Sequence, residues 1–222
     1  MRAILSLLLA TLLASAVFVA FPAIDTATAA LFYDGAGFPI AANHPVEALR
    51  MALYVGENLA FLVVLALTLL KRPRLNLSPR DWLFQLLIFL GGPGIIVNGL
   101  LKRFWGRARP FQTTNFGGTE DFTPAWVINP AGHGNLSFVS GEMAGATALA
   151  ICLIMILRAN QTRLGANLYR IGLAISLSLP LFTAWQRMAA GRHFLSDVVI
   201  AALLIGLLAA VLHRILYGKT NA

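Results

Sequence analysis

Three clusters of residues in this chain could together bind and attack an oxyanion. Lys102 and Arg109 precede Pro110, Ser140-Gly141-Glu142 stands at the head of an apolar run, and Arg187 precedes His193 and Asp197. A tetrahedral phosphate needs donors from several directions, and guanidinium matches its geometry well. A carboxylate bonded to one imidazole nitrogen fixes the tautomer and leaves the other nitrogen free to attack. His193 and Asp197 are four apart and share a face if they lie on one helix. Lys102 and Arg109 are seven apart and also share a face if the helix continues to Pro110. Ser140-Gly141 at a helix start offers free N–H groups and the positive end of the dipole. Each cluster also has an ordinary reading: a basic flank, a serine N-cap, a histidine at a headgroup boundary.

The elements that position these residues are apolar. The 222 residues are 58% hydrophobic and 12% charged, with mean hydropathy +0.75. Six apolar blocks approach the length that crosses a bilayer, at about residues 4–21, 48–70, 82–101, 138–157, 171–185 and 198–217. The expected fold is therefore all-α, a single membrane-embedded domain over residues 1–222 with six transmembrane helices and its motifs within 102–197.

The net charge of +8 invites a nucleic-acid reading, but its distribution argues against one. Ten of the seventeen basic residues, among them Arg2, Lys71, Arg158, Arg214 and Lys219, fall in alternate loops or at the termini. That is the positive-inside pattern. It puts both termini in the cytoplasm and all three clusters on the external side. Arg50, Lys102, Arg103, Arg107, Arg109, Arg187 and Arg192 are left over, most of them on that side, and need another reason.

Other features are subordinate. The loop 22–47 reads as irregular and external, and Phe111, Phe116, Phe122 and Trp126 read as headgroup-level aromatics. Pro93, within Gly91-Gly92-Pro93-Gly94, should kink the third span, as Pro180 should the fifth. The first span is read as a retained helix; Thr26-Ala27-Thr28-Ala29-Ala30 resembles a signal cleavage site and supplies the alternative. Cys152 reads as a small buried residue. Glu57 and Asn58 are costly inside a span and read as hydrogen-bonded structural groups, with Asn98 a candidate partner. No His/Cys/carboxylate cluster suggests a metal.

Taken together, the motifs resemble the type 2 phosphatidic acid phosphatase superfamily. Its Lys-x6-Arg-Pro is met by Lys102, Arg109 and Pro110. Its Ser-Arg-x5-His-x3-Asp is met by Arg187, His193 and Asp197, with Gln186 in place of Ser. Its Pro-Ser-Gly-His reads Val139-Ser140-Gly141-Glu142 here. The resemblance implies a lipid phosphatase that uses no metal or cofactor. His193 would attack phosphorus and Asp197 would orient it, while Lys102, Arg109, Ser140, Gly141 and Arg187 bind phosphate. Glu142 stands where the family's proton-donating histidine would be. Either Glu142 donates the proton, or His133 does, or the leaving group needs little protonation, as for a sugar anomeric oxygen or a phosphate. The implied setting is a bacterial inner membrane with the site facing the periplasm. The implied substrates are lipid A 1-phosphate, a polyprenyl diphosphate or phosphatidylglycerol phosphate. A lipid-to-lipid phosphotransferase, a non-catalytic phospholipid-binding protein and a transporter are the alternatives.

Overall fold

The computed structural model describes residues 1–132 and 134–218; His133 and Lys219 lie outside them. Among the described residues, six helical segments are long and apolar enough to span a membrane. They are α1 (Arg2–Ala20), α3 (His44–Leu70), a segment that begins with α4 (Pro79–Phe89), α6 (Gly141–Ala159), α7 (Gln161–Ala189) and α8 (Leu195–Tyr217). The most apolar stretches of the α4 segment, α6 and α8 are 39% buried, against 11% for α1, α3 and α7. The first three therefore form the inner bundle, around Trp82, Ile88, Ala144, Ala148, Ile200 and Ile205. The outer three turn rows of leucine outward, such as Leu5, Leu9 and Leu12 on α1.

Local chemistry sets the helix ends. Ser78 and Asp81 form a reciprocal capping box at the start of α4, with Pro79 at the first helical position. Asn43 Oδ1 accepts from Val46 N at the start of α3. Past Phe89 the helix widens into a π-helical stretch, Leu90–Leu101, containing Pro93. The expected disturbance at Pro93 thus takes the form of a widened helix, in which the missing proline N–H is absorbed. Gly92 has a packing reason as well, because a Cβ there would collide with Ile205 of α8.

Several expectations are revised. The segment 22–47 is not wholly irregular: it holds a short helix, α2 (Ala23–Ala30), whose Asp25 is fully buried. The helix carrying Lys102 is α5 (Lys102–Trp105), and it ends there at Gly106 in the left-handed region, φ +64°. Arg109 is extended, with φ −80° and ψ 157°. Lys102 and Arg109 therefore do not share a helical face. The loop aromatics also turn inward. Phe116 packs with Phe38 and Tyr33, Phe122 with Phe194, and Trp126 with Trp105 and Phe138. Of the four, Phe111 is the most exposed, and Arg192 lies over its ring. Cys152 is buried, as expected.

Candidate active site

The three clusters meet because backbone bonds join the segments that carry them. Ser137 N donates to Arg107 O (3.0 Å), Ser140 N to Asp197 O (3.1 Å) and Phe111 N to Gly191 O (3.1 Å). Between α7 and α8 the chain turns at Gly191, φ +64°, where a Cβ would run into the Phe38 ring. That turn brings His193 N back to Arg187 O (3.2 Å).

The resulting cavity has a volume of about 310 Å³ and is lined by Lys102, Arg109, Arg187 and His193. Glu142, Arg50, Arg192 and Glu47 complete its charged wall. Five cations against two carboxylates leave a clear positive excess, the field a phosphate anion requires. Arg187 is 6% exposed, and its Nε–H has no hydrogen-bond partner among the described residues. A buried guanidinium N–H left unsatisfied beside an imidazole is a ready donor to an oxyanion.

His193 is not on the helix with Asp197. It precedes α8, and Asp197 belongs to the first turn, where its Oδ2 caps Phe194 N at 2.8 Å. His193 Nδ1 lies 3.5 Å from Asp197 Oδ2 and has no closer partner among the described residues. The carboxylate is engaged elsewhere: Oδ2 also accepts from Ser137 Oγ at 2.6 Å, and Oδ1 accepts from Arg107 Nη1 at 2.7 Å. Nδ1 faces the carboxylate, so Nε2 is the nitrogen left for the cavity. Burial pushes the imidazole down to about 4, against the opposing pull of Asp197 and with help from Lys102 and Arg187. The ring is neutral at neutral pH, the state a nucleophile needs.

Behind Asp197 stands a charge cluster that sequence reading did not assemble. Arg107 is 0% exposed. It joins Asp197 to Asp25 (Nη2 to Oδ2, 2.8 Å), and it donates to Ser196 Oγ and to Thr123 O. Ser196 binds Asp25 in turn through its N and Oγ. The rings of Phe194, Phe122 and Phe138 lie 4.6 to 5.9 Å from the guanidinium carbon. Arg107 was one of the seven basic residues that topology left over; Asp25 had no signal beyond being an acid beside the first span.

The middle cluster divides. Ser140 is fully buried and its Oγ accepts from Met143 N at 3.3 Å, so it is the helix cap. Gly141 faces Lys102 and Asn98: a Cβ there would stand 3.1 Å from Lys102 Nζ and 3.0 Å from Asn98 Oδ1. Glu142, one of the three alternatives for protonating the leaving group, here accepts hydrogen bonds. Its Oε1 takes hydrogen bonds from Arg187 Nη1 (2.7 Å) and Arg50 Nη1 (3.0 Å). Arg50 is also held by Glu47, at 2.6 Å. Among the described residues no group of three or more His, Cys, Asp or Glu could hold a metal ion.

A sequence model of the PAP2 superfamily matches residues 81–221. The chain is 32% identical over 203 residues to a lipid A 4'-phosphatase of Rhizobium leguminosarum, covering 83% of this chain and 84% of that one. It is 31% identical to a lipid A 4'-phosphatase of Francisella tularensis subsp. novicida, over 58% of this chain and 54% of that one. The fold is similar to the crystal structure of a transmembrane PAP2-type phosphatidylglycerolphosphate phosphatase from Bacillus subtilis. The TM-score there is 0.59 at 18% identity, covering 100% of this chain and 99% of that one.

Proposed function

The chain belongs to the PAP2 superfamily and is a membrane lipid phosphatase, and we propose that its substrate is lipid A phosphorylated at the 4' position. The relatives that share about a third of its sequence carry that name, one of them along most of both chains. Of the three substrates the motifs imply, this favours lipid A and moves the phosphate from the 1 to the 4' position. The observation that carries the chemistry is a buried His193 that lines a cavity walled by five cations.

In this reading the phosphate enters between Lys102, Arg109 and Arg187. His193 Nε2 attacks phosphorus, the P–O bond to the sugar breaks, and a phosphohistidine forms. The departing 4' oxygen takes a proton from a water molecule and leaves as the alcohol. Water then cleaves the P–N bond and releases inorganic phosphate. Fixed cations stabilise the charge gathered on the phosphoryl oxygens without having to reorganise. Asp197 holds the imidazole through a carboxylate that Arg107, Ser137 and the Phe194 N–H pin in place. Glu142 fixes Arg187 against the phosphate through the bond at 2.7 Å. The protein sits in the bacterial inner membrane with this cavity facing the periplasm, the side the basic loops avoid.

The test is phosphate release by purified protein from lipid A singly phosphorylated at the 4' or the 1 position, phosphatidylglycerol phosphate and a polyprenyl diphosphate. Wild type should prefer the 4'-phosphate, and His193→Ala should release none. Activity retained by His193→Ala would overturn the mechanism; preference for another lipid would overturn the substrate.

A further inference from the structure

A second cavity, of about 360 Å³, adjoins the phosphate cavity and runs between α3, the widened helix after α4, and α6. Lys102 and Glu142 line both. His193 lines only the first. An in-line displacement sends its leaving group away from the nucleophile, and the second cavity is the adjoining space that the nucleophile does not line.

Away from Lys102, the second cavity is rich in hydrogen-bond acceptors. Asn58 Nδ2 donates to Tyr54 O at 2.7 Å, and Asn98 Nδ2 donates to Pro93 O at 2.7 Å. One N–H of each amide is thus tied to its own helix, and each Oδ1 remains as an acceptor. Glu57 is 8% exposed, has no hydrogen bond or ion pair among the described residues, and also lines this cavity. The structural hydrogen-bonded role expected for it is not what the structure holds. Its carboxyl lies against Gly145, where any Cβ would collide with it. Gly145 is one turn beyond Gly141, about 6 Å along α6, and Gly141 lies beside Lys102 Nζ. The acceptors therefore begin about one helical turn from the phosphate-binding ammonium. Three polar side chains on membrane-spanning helices are costly to leave facing hydrocarbon, and such residues mark ligand sites.

We propose that this second cavity is the subsite for the sugar of the lipid, with Glu57, Asn58 and Asn98 accepting hydrogen bonds from its hydroxyl and amide N–H groups. The inference rests on the lipid A reading and deepens it. An acyl-bearing amino sugar offers such donors next to the scissile bond; the diacylglycerol of phosphatidate and a polyprenyl chain offer none. A site built to bond a donor rejects ligands that lack it, because its acceptors, the buried Glu57 among them, are then left unpaired. Selectivity for the sugar thus comes from acceptors left free by the two asparagine–backbone bonds.

Glu57→Met and Asn58→Leu test this in the full-length protein. No protein donor bonds Glu57, so methionine orphans no partner, and Asn58 is exposed, so leucine disturbs no packing. KM is measured with 4'-phosphorylated lipid A, and inorganic phosphate serves as a competitive inhibitor that reads the first cavity alone. Each variant should raise KM on the order of 10-fold, the effect of one lost hydrogen bond, with the phosphate inhibition constant within about 2-fold of wild type. Wild-type KM in both variants overturns the subsite. So does a parallel rise in KM and the phosphate constant, which would make these residues part of the phosphate cavity. Failure of wild type to release phosphate from lipid A overturns the underlying reading and the subsite with it.

Discussion

Arg107 Nη1 donates to Asp197 Oδ1 at 2.7 Å, and both side chains are fully excluded from solvent. The same guanidinium reaches Asp25 at 2.8 Å, so one cation compensates two buried carboxylates. Removing one partner of a buried pair leaves an uncompensated charge, which costs about 3–5 kcal/mol. Arg107→Met should therefore lower the unfolding temperature in detergent and abolish turnover. Arg107→Lys should also fail, since an ammonium cannot span two carboxylates in the plane of one fork. Wild-type stability in either variant would show that the cluster is not the anchor of the His193–Asp197 pair.

Glu142 poses a separable question, whether it acts on the leaving group or on Arg187. Its Oε1 accepts from Arg187 and Arg50. Glu142→Gln should slow turnover on the order of 10-fold through misplacement of Arg187. The loss should be equal for an aryl phosphate, whose leaving group needs no proton, and for a lipid alcohol. A loss confined to the lipid alcohol would instead identify Glu142 as the proton donor.

The state of His193 can be read directly. Burial holds its imidazole down at about 4, below the ordinary 6.5. A group neutral in the folded state and protonated in the unfolded one stabilises the fold fully above the ordinary value. That contribution is lost as pH falls from 6.5 towards 4. Nitrogen NMR of histidine-labelled protein without phosphate should show the His193 ring neutral down to pH 5, with the signal assigned by its disappearance in His193→Ala. A midpoint near 6.5 would mean a solvated ring and would contradict the closed geometry around it.

Residue type and membrane side were enough to group Lys102, Arg109, Arg187, His193 and Asp197, because phosphate chemistry constrains both. Local conformation was less legible. Seven-residue spacing suggested a helical face for Lys102 and Arg109, yet Gly106 ends the helix, and an extended chain then carries Arg109 to the same cavity. Asp25 was invisible for a different reason. Its partner Arg107 lies 82 residues away, at a separation with no periodicity to betray it. Arg50 and Arg107 did carry a signal, since a basic residue on the disfavoured side must find carboxylates. With nine acidic residues in the chain, that search is short.

Gly106 offers a test of whether the chain must break where it does. Its φ is +64°, and a Cβ would run into the carbonyl oxygen of Asn129. Gly35 also has positive φ, +94°, but nothing stands within 4 Å of where its Cβ would be. Gly35→Ala thus reads backbone strain alone, about 1–2 kcal/mol, while Gly106→Ala adds a clash with main chain that no side-chain rotation relieves. Gly106 also sits one residue before Arg107 and three before Arg109. Gly106→Ala should therefore unfold at a lower temperature than Gly35→Ala and weaken competitive inhibition by inorganic phosphate, whereas Gly35→Ala leaves that inhibition unchanged. Equal stability and equal phosphate inhibition in the two variants would show that the positions of Arg107 and Arg109 do not depend on this turn.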